Sequence, residues 1–465
     1  MKIKKITVKN LFGMFCHEVP LNMEDHITII HGPNGIGKTI LLTLLDALFS
    51  PQKEYYKLRR IPFNELSVDF DDGSTLCLKK GVAFKQTTIN HDDSERNISG
   101  NVNKLFFEFI KRGSDQKSYE VPSIRREEFT FPLELISSKI PELERVDSET
   151  WIHVPTHETL LLEDVLDRFG DRVPSRGVHK KGMEGNEPDW LRKIRNSIHI
   201  HFIETQRLST KRLPGFSDSH HLRRYRESYY TIPTVIDYSK ELAGAIQEKL
   251  AEYAELSQSL DRTFPTRLVK GNGSSKPTIN ELRDDLSKLE EKRSRLMAAG
   301  LLDRVKEIDF KEFQEIDDSN RNVLSVYIRD VKEKLKVFDE LTDKIDLLVK
   351  IINSRFLYKK MSISKKEGFV FKTSDGKNIS PTDLSSGEQH ELILNYELLF
   401  KVKPDSLILI DEPELSLHVI WQQQFLRDLQ EIIRLAGFDV LLATHSPEII
   451  YDRWDLTVEL GGFTK

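Results

Sequence analysis

The sequence predicts an α/β fold with a parallel-stranded core that carries a glycine-rich loop, an antiparallel β lobe and an inserted helical segment. Three observations support this prediction. The apolar residues 27–30 run into a glycine-rich loop at 31–39, and a helix with one apolar stripe follows. Elsewhere in the N-terminal third, polar and apolar residues alternate between turn signals, as in antiparallel strands. From about 235 to 356, apolar residues recur every three or four positions, as in helices.

The N-terminal third is predicted to be mostly sheet around one helix. Asp71, Asp72 and Gly73 separate two alternating segments, which is a strong signal for a hairpin. Farther along the chain, a short helix is predicted near 160–169. The predicted strands of this half of the chain are 2–8, 17–21, 66–70, 75–79, 105–110 and 198–207.

The helical segment has three apolar patterns, over 242–260, 279–296 and 324–352, and a polar loop follows the first. The spacing alternates between three and four, which is typical of heptad seams. Two arrangements stay open, a bundle packed on the rest of the protein and a projecting coiled-coil hairpin that binds a partner. Two strands are expected after this segment, at 361–365 and 368–372.

Length and composition restrict the class of protein. With 465 residues, the chain is too long for one ordinary core, so an insertion or two to three domains is expected. A net charge of −5 provides no overall basic field for nucleic acid. The separated Cys16 and Cys77 support neither a zinc site nor a disulfide framework. The N-terminus lacks a signal peptide and no long apolar run occurs, so we expect a cytoplasmic protein outside the membrane.

The glycine-rich loop reads His-Gly-Pro-Asn-Gly-Ile-Gly-Lys-Thr over 31–39. Backbone N–H groups bind phosphate oxygens and glycines let the backbone curl around them, so Asn34, Gly35 and Gly37 are predicted phosphate-binding residues. The Lys38 ammonium is expected to reach the β- and γ-phosphates, and the Thr39 hydroxyl to ligate Mg²⁺. A plain strand-to-helix turn is the alternative, but the full spacing between a strand and a helix favours the phosphate site.

Two carboxylates follow the apolar strand 407–410. Because α/β sheets bind ligands at the carboxyl ends of their strands, Asp411 is predicted to hold Mg²⁺ and Glu412 to activate water as general base. Alone, the pair would suggest only an acidic loop, whereas the glycine loop in the same chain favours a catalytic site. His445 follows another apolar strand at 441–443, and we interpret it as a γ-phosphate contact rather than a turn histidine.

Residues 384–389, Leu-Ser-Ser-Gly-Glu-Gln, precede a helix with an apolar stripe. The hydroxyl and bare N–H groups of Ser385, Ser386 and Gly387, followed by Glu388, predict a second anion site at a helix N-terminus. The same residues also form a good N-terminal capping box, which alone would explain them. One chain does not normally use two anion sites on one nucleotide.

Four motifs together resemble those of ABC-type ATPases. Residues 32–39 resemble the Walker A motif, 384–389 the signature, 410–414 the Walker B motif with the D-loop, and 444–446 the switch histidine. The Asp-Glu-Pro-Glu and Leu-Ser-Ser-Gly-Glu forms resemble the RecF, SMC and OLD branch of this family. The resemblance implies an ABC-type P-loop NTPase head that hydrolyses ATP with Mg²⁺. It also implies a homo-oligomer, at least a dimer, that sandwiches ATP head to tail so that each signature caps the partner's γ-phosphate.

The same resemblance suggests further assignments. Gln206 resembles the Q-loop glutamine that contacts Mg²⁺ and the attacking water, and a plain strand terminus is the alternative. The implied ATPase head consists of 1–206 and 358–465, and 207–357 is the helical insertion with a short coiled-coil hairpin.

The chain ends about twenty residues after His445. OLD nucleases carry a Toprim domain beyond that point, so we expect no nuclease activity in this chain. A head with a modest helical insertion resembles the AriA-type ATPases of the PARIS anti-phage system and the PtuA-type ATPases of Septu. That resemblance implies control of a separately encoded effector, a Toprim or HNH nuclease, with a phage protein as the trigger.

The alternative function is a RecF-like DNA-repair ATPase that clamps duplex DNA. A basic run with interleaved tyrosines favours DNA as a partner, although such runs are more often solvated loops. Arg195 and His199 resemble an RNase motif, which we reject because the spacing is short and the segment is predicted to be a strand. The basic run consists of Arg207, Lys211, Arg212, Arg223, Arg224 and Arg226, with Tyr225, Tyr229 and Tyr230.

Overall fold

The chain folds into two compact units, which are described separately below. Unit 1 consists of Met1–Gln206, Thr210–Thr231 and Val402–Lys465, and unit 2 of Arg207–Ser209 and Ile232–Lys401. The sequence-based division placed 358–401 with the ATPase head, whereas the structure groups these residues with the helical segment. The computed structural model describes residues 1–51, 54–82, 103–111, 116–121, 132–147, 150–154, 158–169, 187–203, 208–212, 230–270, 277–303 and 318–461.

The described residues form strands and helices with the following bounds. The strands are β1 (Ile3–Leu11), β2 (Phe15–Pro20), β3 (Ile27–His31), β4 (Glu65–Phe70), β5 (Thr75–Val82), β6 (Asn103–Ile110), β7 (Lys117–Val121), β8 (Leu143–Arg145), β9 (Thr150–His153), β10 (Glu158–Leu161), β11 (Ile200–Ile203), β12 (Ser209–Arg212), β13 (Tyr230–Pro233), β14 (Lys359–Ser364), β15 (Gly368–Thr373), β16 (Asn378–Ile379), β17 (Leu407–Asp411), β18 (Asp439–Ala443) and β19 (Thr457–Glu459). The α-helices are α1 (Lys38–Phe49), α2 (Tyr55–Arg60), α3 (Ile136–Lys139), α4 (Leu162–Phe169), α5 (Asp189–Ser197), α6 (Thr234–Lys270), α7 (Ile279–Ala298), α8 (Asp318–Lys336), α9 (Asp339–Arg355), α10 (Ser386–Tyr396), α11 (Val419–Ala436) and α12 (Pro447–Ile450).

A parallel sheet forms the centre of unit 1. Among the described residues its strand order is β11-β17-β18-β3-β19. Every residue of β17 and the first four residues of β3 are buried, as expected for parallel strands covered on both faces. In the register, Asp411 lies opposite Ala443 and Ala443 opposite Ile30, so the carboxyl ends of β17, β18 and β3 meet at one edge. The motifs after these strands are therefore brought together at that edge.

An antiparallel sheet forms the second layer of unit 1. Within the described ranges its order is β2-β1-β4-β5-β6-β7. The predicted hairpin between β4 and β5 is confirmed: Gly73 adopts φ +75°, and the Ser74 N–H donates to Asp72 Oδ1 at 3.0 Å. Apolar residues of α1, including Leu41, Leu44 and Leu48, are fully buried in one core with residues of both sheets. The predicted α/β fold with an antiparallel lobe is thus confirmed.

A small lobe with its own core lies in the middle of unit 1. It consists of the three-stranded sheet β10-β9-β8 with α3 and α4, and the helix predicted near 160–169 corresponds to α4. Trp151 and Leu160 are fully buried in this core, together with Tyr56 from α2. Hydrophobic burial therefore stabilises this lobe.

Two predictions for the segment around Arg195 were wrong. Arg195 lies in helix α5 rather than in a strand, and β11 begins only at Ile200. The Arg195 guanidinium is buried against Glu187, with Nη1 donating to Oε1 at 2.8 Å, and it also donates to the hydroxyl of Tyr55 at 3.0 Å. A buried ion pair explains this arginine, so the rejected RNase motif has no support from its environment.

The described part of unit 2 contains four long helices. Helix α6 packs antiparallel to α8, since Tyr253 contacts Phe338 and Arg267 pairs with Asp330. The predicted helix over 324–352 is wrong in its continuity, because the chain turns at 337–338 and separates α8 from α9. The turn buries Phe338 completely, and the apolar spacing continues across it. The buried residues of α7 are leucines, as expected for a helix that packs one apolar face against its neighbours.

The remainder of unit 2 is a small sheet followed by a helix. Strands β14, β15 and β16 form an antiparallel sheet, as the sequence predicted for the first two, and α10 follows. Gly368, the first residue of β15, adopts φ +74°, and a Cβ there would clash with the carbonyl oxygen of Ser239. Across the described residues, no helix combines the length and the apolar character that a membrane span requires.

Candidate nucleotide-binding site

The glycine-rich loop connects β3 to α1 at the carboxyl edge of the parallel sheet. Gly35 and Gly37 adopt φ values of +82° and +99°, which glycine reaches without strain. A Cβ on Gly37 would lie 2.6 Å from Leu11 Cδ2, so a larger residue would require the loop or the Leu11 side chain to move. Asn34 and Gly35 form the exposed tip. The loop therefore has the tight curl that phosphate binding by backbone N–H groups requires.

Lys38 is held over this loop. Its Nζ donates to the carbonyl oxygens of Gly32 at 2.8 Å and Pro33 at 3.2 Å, and lies 3.3 Å from Nδ1 of His445. The residue is 5% exposed. Burial lowers the pKa of Lys38, and the nearby carboxylates of Glu412 and Asp411 oppose that shift. A buried ammonium beside curled backbone is suited to bind a phosphate.

Thr39 and Asp411 bring two oxygen ligands together beside the loop. Thr39 Oγ1 donates to Asp411 Oδ1 at 3.1 Å. Burial raises the pKa of Asp411, while the hydrogen bond from Thr39 opposes the shift. Mg²⁺ is typically held by one or two protein oxygens together with substrate phosphates and waters. In the described part of the chain no cluster of three or more His, Cys, Asp or Glu residues could hold a metal ion.

Glu412 and His445 face each other next to Lys38. Glu412 Oε1 lies 3.7 Å from His445 Nε2, and both side chains are about one-third exposed. The Lys38 ammonium can only donate, so Nδ1 of His445 accepts and the hydrogen of neutral His445 is on Nε2, towards Glu412. Glu412 has the left-handed backbone angle φ +41°, and its N–H donates to Ala443 at 2.9 Å. Such strain in a non-glycine residue is typical of functional sites.

Two residues of this edge were not identified from the sequence as functional. Glu414 Oε1 accepts a hydrogen bond of 2.7 Å from the backbone N–H of His445. Gln422 accepts from the Ser446 hydroxyl at 2.8 Å and donates to the carbonyl oxygen of Leu417 at 3.2 Å. Glu414 was part of the quoted motif without a role, and no sequence signal pointed to Gln422. Both fix the loop that carries His445.

The predicted second anion site lies in unit 2, at the start of α10. The Ser385 hydroxyl accepts from the Glu388 N–H at 3.3 Å, and the Ser385 N–H donates to Glu388 at 2.8 Å, which is a capping box. Lys359 Nζ donates to the same Glu388 carboxylate at 2.7 Å. Burial would raise the pKa of Glu388, but the hydrogen bonds from Lys359 and Ser385 hold it below the ordinary value. The structure thus shows the capping box that the sequence analysis gave as the alternative explanation of these residues.

The predicted site residues are therefore distributed as follows. In unit 1 the structure brings together the loop residues Asn34, Gly35, Gly37, Lys38 and Thr39 with Asp411, Glu412 and His445. Ser385, Ser386, Gly387 and Glu388 belong to unit 2. Gln206 lies outside the described residues, although β11 before it runs parallel to β17.

The sequence model of the AAA ATPase domain family matches residues 1–450. The chain belongs to this family. No curated protein matches the sequence. Among solved structures, the chain is similar to the SMC head domain from Thermotoga maritima, with 12% identity, coverage of 99% of this chain and 94% of that chain, and a TM-score of 0.32. It is also similar to the Smc head domain with an extended coiled coil from Pyrococcus furiosus, bound to the C-terminal domain of ScpA, with 12% identity, coverage of 97% and 91%, and a TM-score of 0.32.

Proposed function

We propose that this AAA ATPase domain protein binds ATP with Mg²⁺ at the glycine loop, closes as a head-to-tail dimer, hydrolyses ATP, and thereby controls a separate effector. The observation that carries the proposal is the convergence of Lys38, the Thr39–Asp411 pair and the Glu412–His445 pair at one sheet edge. These groups supply a cation for phosphate, oxygens for a metal and a base for water, as P-loop ATPases require.

Each residue has a distinct part in the proposed reaction. The N–H groups of the loop and the Lys38 ammonium bind the β- and γ-phosphates of the substrate. Thr39 and Asp411 would hold Mg²⁺, and this metal, when bound, neutralises phosphate charge. Glu412 accepts a proton from the attacking water, and Nε2 of His445 stabilises the γ-phosphate and orients Glu412. We also assign Gln206 to the water and the metal, on the motif resemblance alone.

The dimer is supported by the second helix N-terminus. Ser385 caps helix α10 of unit 2, and Ser386, Gly387 and Glu388 form its first turn. A capped N-terminus still offers N–H groups and a positive dipole to an anion. In the proposed assembly each copy presents this end to the γ-phosphate bound by its partner.

The test is the oligomeric state of the Glu412→Gln variant, measured by light scattering after size-exclusion chromatography. With ATP and Mg²⁺ we expect a dimer or a higher oligomer, and with ADP the smaller species. Adding Lys38→Ala to the same variant should abolish the shift. A mass that does not respond to ATP would contradict the proposed closure.

We further propose that the effector is a nuclease encoded beside this protein and that a phage protein triggers its release. This narrower role is supported by the resemblance of an ATPase head with a modest helical insertion to the ATPase subunits of anti-phage systems. A pull-down of the co-expressed neighbouring protein should recover it in an ATP-dependent manner. A neighbour that is a permease or a metabolic enzyme would contradict the defence role.

A DNA clamp is the second candidate, favoured by the basic run between Arg207 and Tyr230. Most of that run lies outside the described residues. Salt-dependent binding of duplex DNA, lost when Arg223, Arg224 and Arg226 are changed to Glu, would favour this function over control of a nuclease.

A further inference from the structure

A buried histidine from the antiparallel sheet contacts the glycine loop. His17 lies in β2 and is 2% exposed, and its Nε2 is 2.9 Å from the carbonyl oxygen of Ile36. A carbonyl oxygen can only accept, so Nε2 carries the hydrogen and donates. The other ring nitrogen, Nδ1, is buried and has no hydrogen-bond partner among the described residues. The ring therefore makes its one hydrogen bond to the loop.

The environment keeps this imidazole neutral and oriented. Burial lowers the pKa of His17, although the hydrogen bond to Ile36 opposes the shift. The ring of Phe15 stacks on the imidazole with a centroid distance of 5.8 Å and an interplanar angle of 14°. A single oriented donor thus faces the Ile36 carbonyl group.

The geometry of the peptide unit makes this contact relevant to the phosphate site. The bond between Ile36 and Gly37 is trans, so its carbonyl oxygen and its N–H point in opposite directions. When His17 holds the oxygen, the N–H of Gly37 points away from His17. Glycines on both sides of Ile36 adopt positive φ, and glycine permits a flip of this peptide at little steric cost. A flip would replace an N–H by a carbonyl oxygen, which repels phosphate.

We propose that His17 is a positioning residue that prevents this flip and so keeps the Gly37 N–H available for the phosphates of the nucleotide. His17 does not itself contact the nucleotide. The inference rests on the proposed function, because it concerns how the same loop binds phosphate. A histidine of the antiparallel sheet thereby raises the nucleotide affinity of the glycine loop, which follows β3 of the parallel sheet.

The test compares two substitutions of equal length, His17→Gln and His17→Met. The amide of Gln can donate to the Ile36 carbonyl, whereas Met fills the same space without a donor. We expect His17→Met to weaken ADP binding, measured by calorimetry, by about 10- to 100-fold, the value of one lost hydrogen bond at a buried site. His17→Gln should stay within about threefold of the unmodified protein. If the His17→Met variant does not fold, His17→Asn takes its place, because the shorter Asn side chain does not bring its amide within reach of the Ile36 carbonyl oxygen.

The matched control is His153, which is also buried, at 6% exposure, and packs against Phe169 in the small lobe. His153→Gln and His153→Met should lower thermal stability and leave ADP affinity unchanged. Equal ADP affinity in His17→Met and the unmodified protein, or an equal loss in Gln and Met, would overturn the inference. If the unmodified protein binds no ADP, or if Lys38→Ala binds ADP as tightly as the unmodified protein, the proposed function fails instead.

Discussion

The two helix N-termini that are predicted from the sequence to bind anions are built differently. At α1 the capping position is Gly37, which has no side chain to satisfy the first N–H groups, and Lys38 and Asp411 reach the loop from separate elements. At α10 the side chains of Ser385 and Glu388 cap the helix reciprocally, and Lys359 pairs with Glu388. At the first end no side chain satisfies the first N–H groups, whereas at the second the reciprocal cap already satisfies the N–H groups of Ser385 and Glu388.

This difference indicates an order of events. We expect the nucleotide to bind first at α1, because open N–H groups and a buried ammonium gain most from phosphate. In the proposed dimer, the α10 end, which its own side chains already cap, would then close on the nucleotide bound by the partner. Substitutions at α1 should therefore change nucleotide affinity, and substitutions at α10 should change turnover and closure.

The largest effect is expected at Glu412. Glu412→Gln removes the proposed base and should reduce ATP turnover by about 10²- to 10⁴-fold while ATP still binds. A phosphate-release assay with a parallel ATP titration measures both properties. Glu448→Gln, which removes a charge from α12 outside the proposed machinery, is the control and should keep normal turnover. Unchanged turnover in Glu412→Gln would remove Glu412 from the base role.

The second prediction compares the two lysines that face these helix ends. Lys38→Ala should weaken ADP and ATP binding by about 10- to 100-fold or more, because it removes charged hydrogen bonds to phosphate. Lys359→Ala should leave ADP affinity unchanged, since Lys359 pairs with Glu388 in unit 2. Calorimetric titration of both variants gives the comparison. Equal losses of ADP affinity would show that the two ends do not differ in the way we describe.

The third prediction separates capping from function at α10. Ser385→Ala should destabilise the protein by ~1 kcal/mol through loss of the cap, and it should also lower ATP turnover. Thr278→Ala removes a similar capping box from α7, which carries no predicted site residue, and should lower stability only. Denaturant unfolding and a phosphate-release assay distinguish the two variants. Equal turnover in both would leave Ser385 with a structural role alone.

The smallest effect concerns Asp411 and pH. Because burial raises the folded-state pKa of Asp411 above its ordinary value, the protein loses stability as the pH rises from the ordinary pKa of aspartate through the folded-state pKa. Asp411→Asn should therefore slightly raise the thermal stability of nucleotide-free protein near pH 7. The gain should vanish as the pH falls below the ordinary pKa of aspartate. Melting curves at several pH values measure it, and lower stability in the variant at pH 7 would contradict the assignment.

Structural features that depend on neighbouring residues were predictable from the sequence, whereas features that depend on long-range contacts were not. The hairpin at 71–73 and the glycine loop depend on backbone angles that their own residues determine. The break between α8 and α9 was missed because Phe338 continues the apolar spacing through a turn. The role of His17 was hidden because its acceptor is a backbone carbonyl, which leaves no pattern in side-chain chemistry.

The most direct test mixes two inactive variants, Lys38→Ala and Gly387→Asp. The aspartate suits a helix N-terminus but repels triphosphate. In a head-to-tail dimer of one copy of each, one nucleotide site has both defects and the other has none. We predict that an equimolar mixture recovers about a quarter of the normal ATP turnover, since half of the dimers are mixed and each has one intact site. A mixture as inactive as either variant alone would contradict a site shared between two copies.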